Sequence, residues 1–160
     1  MQARAERERD SAKPPAMGAA IKQMNKRGIA IALISFIGMV DALYLSLKRN
    51  AGPIPCHVTR GCTDVLTSQY SAVLGIPISV FGLVFYLAVF SLAVFQLSGA
   101  GKTLNWVFWP ASAALGISAG LVGIQAFALN AYCEYCLLSA ILVLTIFLLS
   151  PRPWAHKHPQ

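Results

Sequence analysis

The segment CEYCLLSAILVLTIFLL, residues 133–149, decides the fold class of this chain. It joins a C-x-x-C pair to an apolar run that ends before Pro151 and Pro153. A helix needs roughly 20 apolar residues to cross a bilayer, and this run comes close to that length before the prolines stop it. The segment therefore predicts a membrane helix that carries two thiols at its start.

Three further apolar stretches precede this segment, at about residues 28–47, 76–97 and 106–129. The composition agrees with membrane burial, because 56% of the 160 residues are hydrophobic and only 12% are charged, about half the charged share of a soluble domain. The first stretch is too long for a cleaved signal peptide and lacks a small-residue cleavage site after it. We therefore predict an all-α integral membrane protein, a four-transmembrane-helix bundle.

The orientation follows from the basic residues, which favour the cytoplasmic side of a membrane. Many of the thirteen lysines and arginines precede the first apolar stretch, so we predict a flexible, basic cytoplasmic tail over residues 1–27. A membrane catalytic domain over residues 28–149 and a cytoplasmic tail over residues 150–160 follow. This placement of the net charge of +7 indicates lipid headgroups and argues against nucleic acid as a partner. All four cysteines then face the extracytoplasmic side, where disulfides persist.

The pair Cys133 and Cys136 has an electrostatic consequence because it stands at a helix start. We predict Asn130 as the N-cap, which places Cys133 in the first turn, where free backbone N–H groups and the helix dipole stabilise a thiolate. Such a thiolate is both a nucleophile and a leaving group. Cys136 lies about 4.5 Å deeper along the helix axis, so one sulfur is expected to face a protein and the other a lipid-soluble acceptor.

Two other interpretations of this pair stay open. The cysteines could be small apolar residues of an ordinary helix, or they could bind a structural metal. Zinc would need two further ligands, and Cys56, His57 and Cys62 offer them only at a spacing, C-H-x4-C, that is unusual for zinc. We therefore predict that no metal is bound.

A second pair, Cys56 and Cys62, is separated by five residues, which is close enough to form a small disulfide ring. Gly61 allows a turn just before Cys62. The ring could be a plain staple of an exposed loop. In a compact four-helix bundle, however, the loop crosses back over the start of the fourth helix. Cys62 then comes within reach of Cys133, and the two pairs can exchange electrons.

The residues that follow Cys62, about 63–74, carry apolar side chains compatible with one helical face. Such a segment predicts a short interfacial helix in the first extracytoplasmic loop. An ordinary surface turn of helix fits the same pattern.

Two features inside the membrane stretches stand out, Asp41 and the motif Gly116-x-x-x-Gly120. An ionisable group inside a span is costly and usually faces a polar interior. We therefore predict that Asp41 lines the bundle and helps to deliver protons, with a structural hydrogen bond as the alternative. The glycine motif predicts the close approach of another helix.

The order of these motifs resembles one known family. A loop cysteine is followed by Gly-Cys-x-x-Val-x-x-Ser-x-Tyr at residues 61–70, by Gly-Ile-Pro at residues 75–77 and by the closing C-x-x-C. Over about residues 28–149 this pattern resembles bacterial homologues of vitamin K epoxide reductase. The resemblance implies a four-helix bundle around a quinone, an active-site C-x-x-C, and loop cysteines that relay electrons from a thioredoxin-like partner.

The resemblance also implies a role for each cysteine. Cys56 would meet the partner, and Cys62 would attack Cys133. The released Cys136 thiolate would then reduce the quinone.

The quinone site implied by the resemblance includes Ser68, which matches a serine near the quinone and is a candidate hydrogen-bond donor. Asp41 and Cys136 complete our candidate set. Ile78 and Ala140 stand where vertebrate members carry an Asn and a Tyr that bind the quinone. This departure argues against vitamin K epoxide as the substrate and leaves simple quinone reduction.

The sequence thus predicts a membrane thiol oxidoreductase of the bacterial inner membrane. It would reoxidise an extracytoplasmic thioredoxin-like (DsbA-like) partner and pass the electrons to ubiquinone or menaquinone. Because the chain ends at Gln160 without a thioredoxin-like domain, the partner is expected to be a separate protein. One alternative is an outward-directed thiol reductase, although no cytoplasmic cysteine is predicted to feed it. The other is a non-enzymatic membrane subunit with structural disulfides.

Overall fold

Helices dominate the computed structural model of this chain. The structure describes residues 15–49, 51–52, 55–56, 61–98 and 103–151, with side chains from residue 26 onward. In chain order the elements are α1 (Pro15–Lys48), α2 (Cys62–Thr67), β1 (Ala72–Val73), β2 (Ile76–Pro77), α3 (Ile78–Leu97), α4 (Phe108–Ile124) and α5 (Glu134–Leu149). Short 3-10 segments cover Gln69–Ser71 and Thr103–Val107, and a π-helical turn, Gln125–Leu129, continues α4.

Three segments are long and apolar enough to cross a bilayer, namely Lys26–Lys48, Ile78–Leu97 and Leu104–Leu129. Helix α5 is also apolar, but its 16 residues fall short of the length of the other three. The chain is therefore a mostly helical, multi-pass membrane protein.

Helix α1 extends further toward the N-terminus than the apolar stretch that predicted it. It begins at Pro15, so residues 15–27, which the sequence assigned to a flexible tail, have helical backbone. Proline is well tolerated in the first turn of a helix, where its missing N–H leaves no bond unmade. Residues 1–14 and 152–160, which make up the rest of the two predicted tails, lie outside the described residues.

The apolar core joins the long helices. It consists of buried side chains from α1, α3, α4, α5 and the 3-10 segment before α4, namely Ile31, Ala32, Ala42, Tyr86, Val89, Ala93, Leu104, Val107, Ala111, Val143 and Ile146. At its centre, the Tyr86 ring lies directly against Gly38, where an added Cβ would overlap the ring. The Tyr86 hydroxyl donates to the carbonyl oxygen of Ser139 at 3.0 Å. This tyrosine therefore ties α1, α3 and α5 together.

The outer surface of the helices is apolar. Side chains that are more than 60% exposed include Leu33, Leu47, Val84, Ile117 and Leu148. Large exposed apolar areas are rare on soluble monomers, whereas lipid is as apolar as these side chains. The exposed face thus agrees with a bilayer as the solvent.

The predicted close helix approach at the α4 glycines is wrong within this chain. Among the described residues, nothing lies within 4 Å of a Cβ built at Gly116, Gly120 or Gly123. The close approach between helices occurs at Gly38 of α1 instead. A small-residue motif marks a smooth helix surface, but the tertiary fold decides which surface is covered.

The loop after α1 contains less helix than the sequence predicted. Helix α2 ends at Thr67, and β1 and β2 then pair as an antiparallel hairpin with Ala72 opposite Pro77. The hairpin turn requires positive φ at Leu74 (51°) and Gly75 (82°). The helix predicted through residues 63–74 is interrupted earlier, at Ser68, whose extended backbone (ψ 158°) ends α2.

Candidate active site

Both cysteine pairs lie in one cluster where the loop after α1 meets the start of α5. This cysteine cluster contains the buried Leu45, Cys62, Val65, Leu66 and Cys133, with Tyr44, Cys56, Leu129, Ala131, Tyr135 and Cys136 packed against it. The tertiary fold thus brings the four predicted catalytic cysteines together.

The two pairs are in different oxidation states. Cys56 and Cys62 form a disulfide with a Cα–Cα distance of 6.0 Å, whereas Cys133 and Cys136 are free thiols. Cys62 and Cys133 are fully buried, while Cys56 is only partly buried. Cys56 is therefore the sulfur of the loop pair that a protein partner reaches more readily.

The loop is held close to the start of α5 by two contacts. A Cβ at Gly61 would lie 2.8 Å from the Cβ of Ala131 and 2.9 Å from the backbone nitrogen of Tyr132. The hydroxyl of Tyr135 donates to the carbonyl oxygen of Pro55 at 3.2 Å. Gly61 itself has φ −98°, which any residue adopts. The close approach, and not the predicted turn, is what requires glycine there.

The predicted N-cap of the last helix is wrong. Asn130 has φ 48° and ends the preceding π-helical turn in the left-handed conformation, which Asn tolerates better than most residues. Cys133 is itself the N-cap of α5, and its Sγ accepts the backbone N–H of Cys136 at 3.4 Å. The thiol thus takes the place that a Ser or Asp side chain often fills at a helix start.

This arrangement lowers the pKa of the Cys133 thiol. The main cause is the hydrogen bond from the Cys136 side chain, and it outweighs the effect of burial, which raises the pKa. Backbone N–H groups of Cys136 and Tyr135 act in the same direction as the side-chain bond. Cys133 is therefore the sulfur that carries negative charge most easily, as the sequence predicted, although it does so from the N-cap position.

A cavity of about 340 Å³ lies beneath the loop and reaches down between α1, α3, α4 and α5. Its wall is mainly apolar, and it includes Cys136 and Ser68. Cys133 and Asp41 do not line it. The C-x-x-C thus presents one thiol to the cavity and keeps the other in the buried contact with the loop pair.

Two comparisons with known proteins show the family of this chain. A family model described as "Vitamin K epoxide reductase family" matches residues 29–150. This chain belongs to that family. A thiol-disulfide oxidoreductase, LTO1, of Arabidopsis thaliana is 33% identical over 130 residues, which cover 71% of this chain and 33% of that protein. The chain therefore spans about a third of the length of this relative.

Two residues, Ile78 and Ala140, depart from the pattern of the vertebrate members of the vitamin K epoxide reductase family, and they lie in different places. Ile78 lines the cavity, whereas Ala140 does not. Polar side chains of other positions line it instead, among them Ser79, Tyr86, Ser118, Gln125 and Ser139. The cavity thus keeps hydrogen-bonding groups next to an apolar wall.

Sequence reasoning missed Gln125. This residue is 2% exposed, and its Oε1 accepts the backbone N–H of Cys133 at 2.9 Å. A glutamine inside an apolar stretch was the available signal, because a polar side chain at membrane depth needs a partner. Its contact with Cys133 depends on the π-helical turn and cannot be read from spacing.

The two other predicted site residues occupy different surroundings. The hydroxyl of Ser68 lines the cavity and donates to the carbonyl oxygen of Val65 at 2.7 Å. Asp41 is 8% exposed, and its Oδ2 has no hydrogen-bond partner among the described residues. The negative charge of Asp41 also acts on Cys133. Ser68 thus faces the cavity, while Asp41 acts on the cysteine pair.

Within the described part of the chain, no group of three or more His, Cys, Asp or Glu side chains could hold a metal ion. His57, which the zinc interpretation used, lies outside the described residues.

Proposed function

We propose that this protein is a membrane thiol oxidoreductase that oxidises the dithiol of a thioredoxin-like (DsbA-like) protein and passes the electrons to a membrane quinone. The observation that carries the proposal is the cysteine cluster: a loop disulfide and a C-x-x-C share one buried site, and Cys136 lines an apolar cavity. Membership of the vitamin K epoxide reductase family supports the same reaction class.

Electrons enter at the partly buried Cys56. A partner thiolate attacks Cys56 and releases Cys62 as a thiolate, and the second partner thiol then resolves the mixed disulfide, so that the partner gains a disulfide. The Cys62 thiolate attacks Cys133 of an oxidised Cys133–Cys136 pair. Cys136 leaves, and Cys56 displaces Cys133 to restore the loop disulfide. Two electrons have then moved from the partner to the C-x-x-C pair.

The state with a loop disulfide and a reduced C-x-x-C is the one that follows this exchange. A quinone accepts two electrons and two protons. The quinone would be held in the cavity that Cys136 lines. Next to Cys136, the Cys133 thiol has a lowered pKa and therefore carries negative charge easily. Oxidation of the two thiols to a disulfide supplies both electrons and both protons, so the reaction balances.

The cavity fits a quinone head group. Ligand sites of this kind usually measure about 300–1,000 Å³ and combine apolar walls with few polar groups. The cavity of about 340 Å³ has such a wall, with Ser68 and Tyr86 among its polar groups. A ubiquinone or menaquinone ring matches it in chemistry.

The membrane arrangement that we propose has four spans, with both termini in the cytoplasm and the cysteine cluster on the extracytoplasmic side of a bacterial inner membrane. The 16 residues of α5 extend about 24 Å at 1.5 Å per residue. The irregular segment before α5 and the loop above it would then lie at the headgroup level. The basic N-terminal residues support this orientation.

Ser68 and Asp41 are proposed to assist the quinone half of the reaction. Rotation of the Ser68 hydroxyl away from Val65 would let it donate to the quinone, so Ser68→Ala is expected to raise the KM for quinone two- to tenfold. An unchanged KM would remove Ser68 from the site. The charge of Asp41 acts on Cys133. We propose that Asp41 accepts the proton of a thiol and that this proton is then transferred to the reduced quinone.

The decisive experiment replaces Cys136 with alanine and adds the reduced partner. Without Cys136, Cys133 cannot form the disulfide that Cys62 attacks. Air or a mild disulfide oxidant can instead oxidise the two thiols Cys62 and Cys133 to a disulfide. We expect peptide mapping to find this Cys62–Cys133 disulfide, and Cys133→Ala serves as the control that cannot form it. If both variants oxidise the partner and reduce quinone at the wild-type rate, the cysteines are structural and the proposal fails.

A further inference from the structure

A buried amide joins the C-x-x-C pair to the cavity. Gln125 is 2% exposed, its Oε1 accepts the backbone N–H of Cys133, and the residue lines the same cavity as Cys136. Burial of an amide in apolar surroundings is costly unless hydrogen bonds compensate for the lost water. Burial of a leucine side chain at this position would cost less free energy than burial of an amide. We therefore expect the amide to have a function in the active site.

The backbone around Gln125 explains how one residue reaches both features. Gln125 begins the π-helical turn, and π-helical turns often occur at functional sites. Its carbonyl oxygen accepts the N–H of Ala131 at 3.2 Å, while its side chain accepts the N–H of Cys133 at 2.9 Å. Gln125 therefore holds the backbone of the segment before the C-x-x-C, through these two hydrogen bonds.

The two ends of the amide group have different roles. The oxygen is occupied by the N–H of Cys133. The NH2 group carries two donors and no acceptor, and carbonyl oxygens are the groups by which a quinone accepts hydrogen bonds. The negative charge that develops on such an oxygen during reduction strengthens a hydrogen bond from a fixed donor.

We propose that Gln125 binds the quinone: its Oε1 holds the backbone of Cys133, and its Nε2 donates to a quinone carbonyl oxygen beside Cys136. This inference rests on the quinone-reducing function proposed above and assigns that reaction a further residue. Gln125 then aligns the electron donor and the acceptor through one rigid amide plane.

Gln96 offers a matched control. It is also buried, at 6% exposed, and its Oε1 accepts a backbone N–H eight residues along the chain, that of Leu104, at 3.4 Å. It lies near the end of α3 that is remote from Ile78 and does not line the cavity. Replacement of Gln96 thus removes the same kind of helix-connecting bond without a change at the cysteine cluster.

The experiment compares Gln125→Leu and Gln125→Met with Gln96→Leu and Gln96→Met in the full chain. Two half-reactions are measured, namely reduction of a short-chain benzoquinone by the reduced protein and a single turnover of the oxidised protein with a reduced thioredoxin-like partner. We expect both Gln125 variants to raise the KM for the benzoquinone about five- to tenfold, the loss that one hydrogen bond accounts for. The single turnover should slow as well, because the backbone of Cys133 is released. Methionine keeps the length of the side chain, so at least one variant is expected to fold.

The Gln96 variants should keep both rates and the wild-type KM, although their thermal stability falls. If the Gln125 variants show the same KM as the Gln96 variants, Gln125 is a structural residue and the inference is wrong. If the wild-type protein itself fails to reduce the benzoquinone, the proposed function fails first. The two failures are therefore distinguishable.

Discussion

The apolar core and the cysteine cluster are built in different ways. The core consists mostly of aliphatic side chains on long helices, whose backbone groups bond within each helix. The cysteine cluster joins the end of α1 and the start of α5 to short and irregular pieces, namely α2, the π-helical turn and the non-helical residues 130–133. Its backbone therefore depends on side chains such as Gln125 and Tyr135 for hydrogen bonds. The exchange of disulfides and most of the apolar packing thus involve different residues of the bundle, while Tyr86 of the core also lines the cavity.

The largest effect should come from Cys62→Ala in the cysteine cluster. Partner oxidation is expected to fall about 1,000-fold or more, since the relay between the two pairs is lost. A small dithiol such as dithiothreitol reaches Cys133–Cys136 directly and should still drive quinone reduction. Thr67→Ala, an exposed change on the same helix, is the control. Wild-type partner oxidation by Cys62→Ala would contradict the relay.

In the apolar core the expected effect is on stability instead. Ile146 is fully buried, so Ile146→Ala should cost about 2–5 kcal/mol of unfolding free energy through lost burial and a cavity. Activity per folded molecule at low temperature should stay the same. Leu148, which is 67% exposed, gives the control Leu148→Ala, with little change in thermal unfolding. A loss of specific activity in Ile146→Ala would break the separation of the two regions.

Gly61→Ala tests how tightly the loop pair is placed against α5. The new Cβ would meet the backbone of Tyr132, so the loop must shift, and a displacement of about 1 Å can slow a reaction as much as 100-fold. We expect single-turnover exchange between the pairs to slow about 10- to 100-fold. The control Gly116→Ala adds a Cβ that has no described atom within 4 Å and does not line the cavity. Equal rates in the two variants would show that the approach at Gly61 does not position the disulfide.

Asp41→Asn sharpens the comparison at the border between the regions. If Asp41 accepts a thiol proton, its loss should slow quinone reduction about tenfold, which is less than the roughly 100- to 10,000-fold typical of a general acid or base that acts directly on the reacting group, with the fold retained. Asp64→Asn, an exposed change on α2, should leave the rate unchanged. A wild-type rate for Asp41→Asn at every pH would remove Asp41 from the proton path.

The smallest effect is the pH dependence of stability in the reduced state. Because the pKa of Cys133 is lower in the folded protein, the unfolded chain binds more protons between the two pKa values. The contribution of Cys133 to stability should therefore rise with pH through its folded pKa and level off near the pKa of an ordinary thiol, about 8.5. Thermal unfolding of the reduced wild type and of Cys133→Ala measures this difference. Parallel curves for the two proteins would contradict the lowered pKa.

The membrane class, the apolar helices and the pairing of the four cysteines along the chain can be read from the amino-acid sequence alone. These features depend on local composition and on the length of apolar runs, which act within one segment of chain. The family resemblance on residues 61–70 and the C-x-x-C was confirmed by the family match. The sequence also predicted a lowered pKa for Cys133 from the backbone N–H groups of a helix start, although the largest cause in the structure is the hydrogen bond from the Cys136 side chain.

Three features could not be read from the sequence: the residue that caps α5, the reason for a glycine at position 61, and the hydrogen bond between Gln125 and Cys133. Each of these depends on contacts between residues that lie far apart in the chain or on a π-helical turn that no simple periodicity signals. Asn130 fits an N-cap by composition, but its left-handed backbone ends one helix instead of starting the next. Packing between segments, which spacing alone does not encode, thus set the geometry of the site.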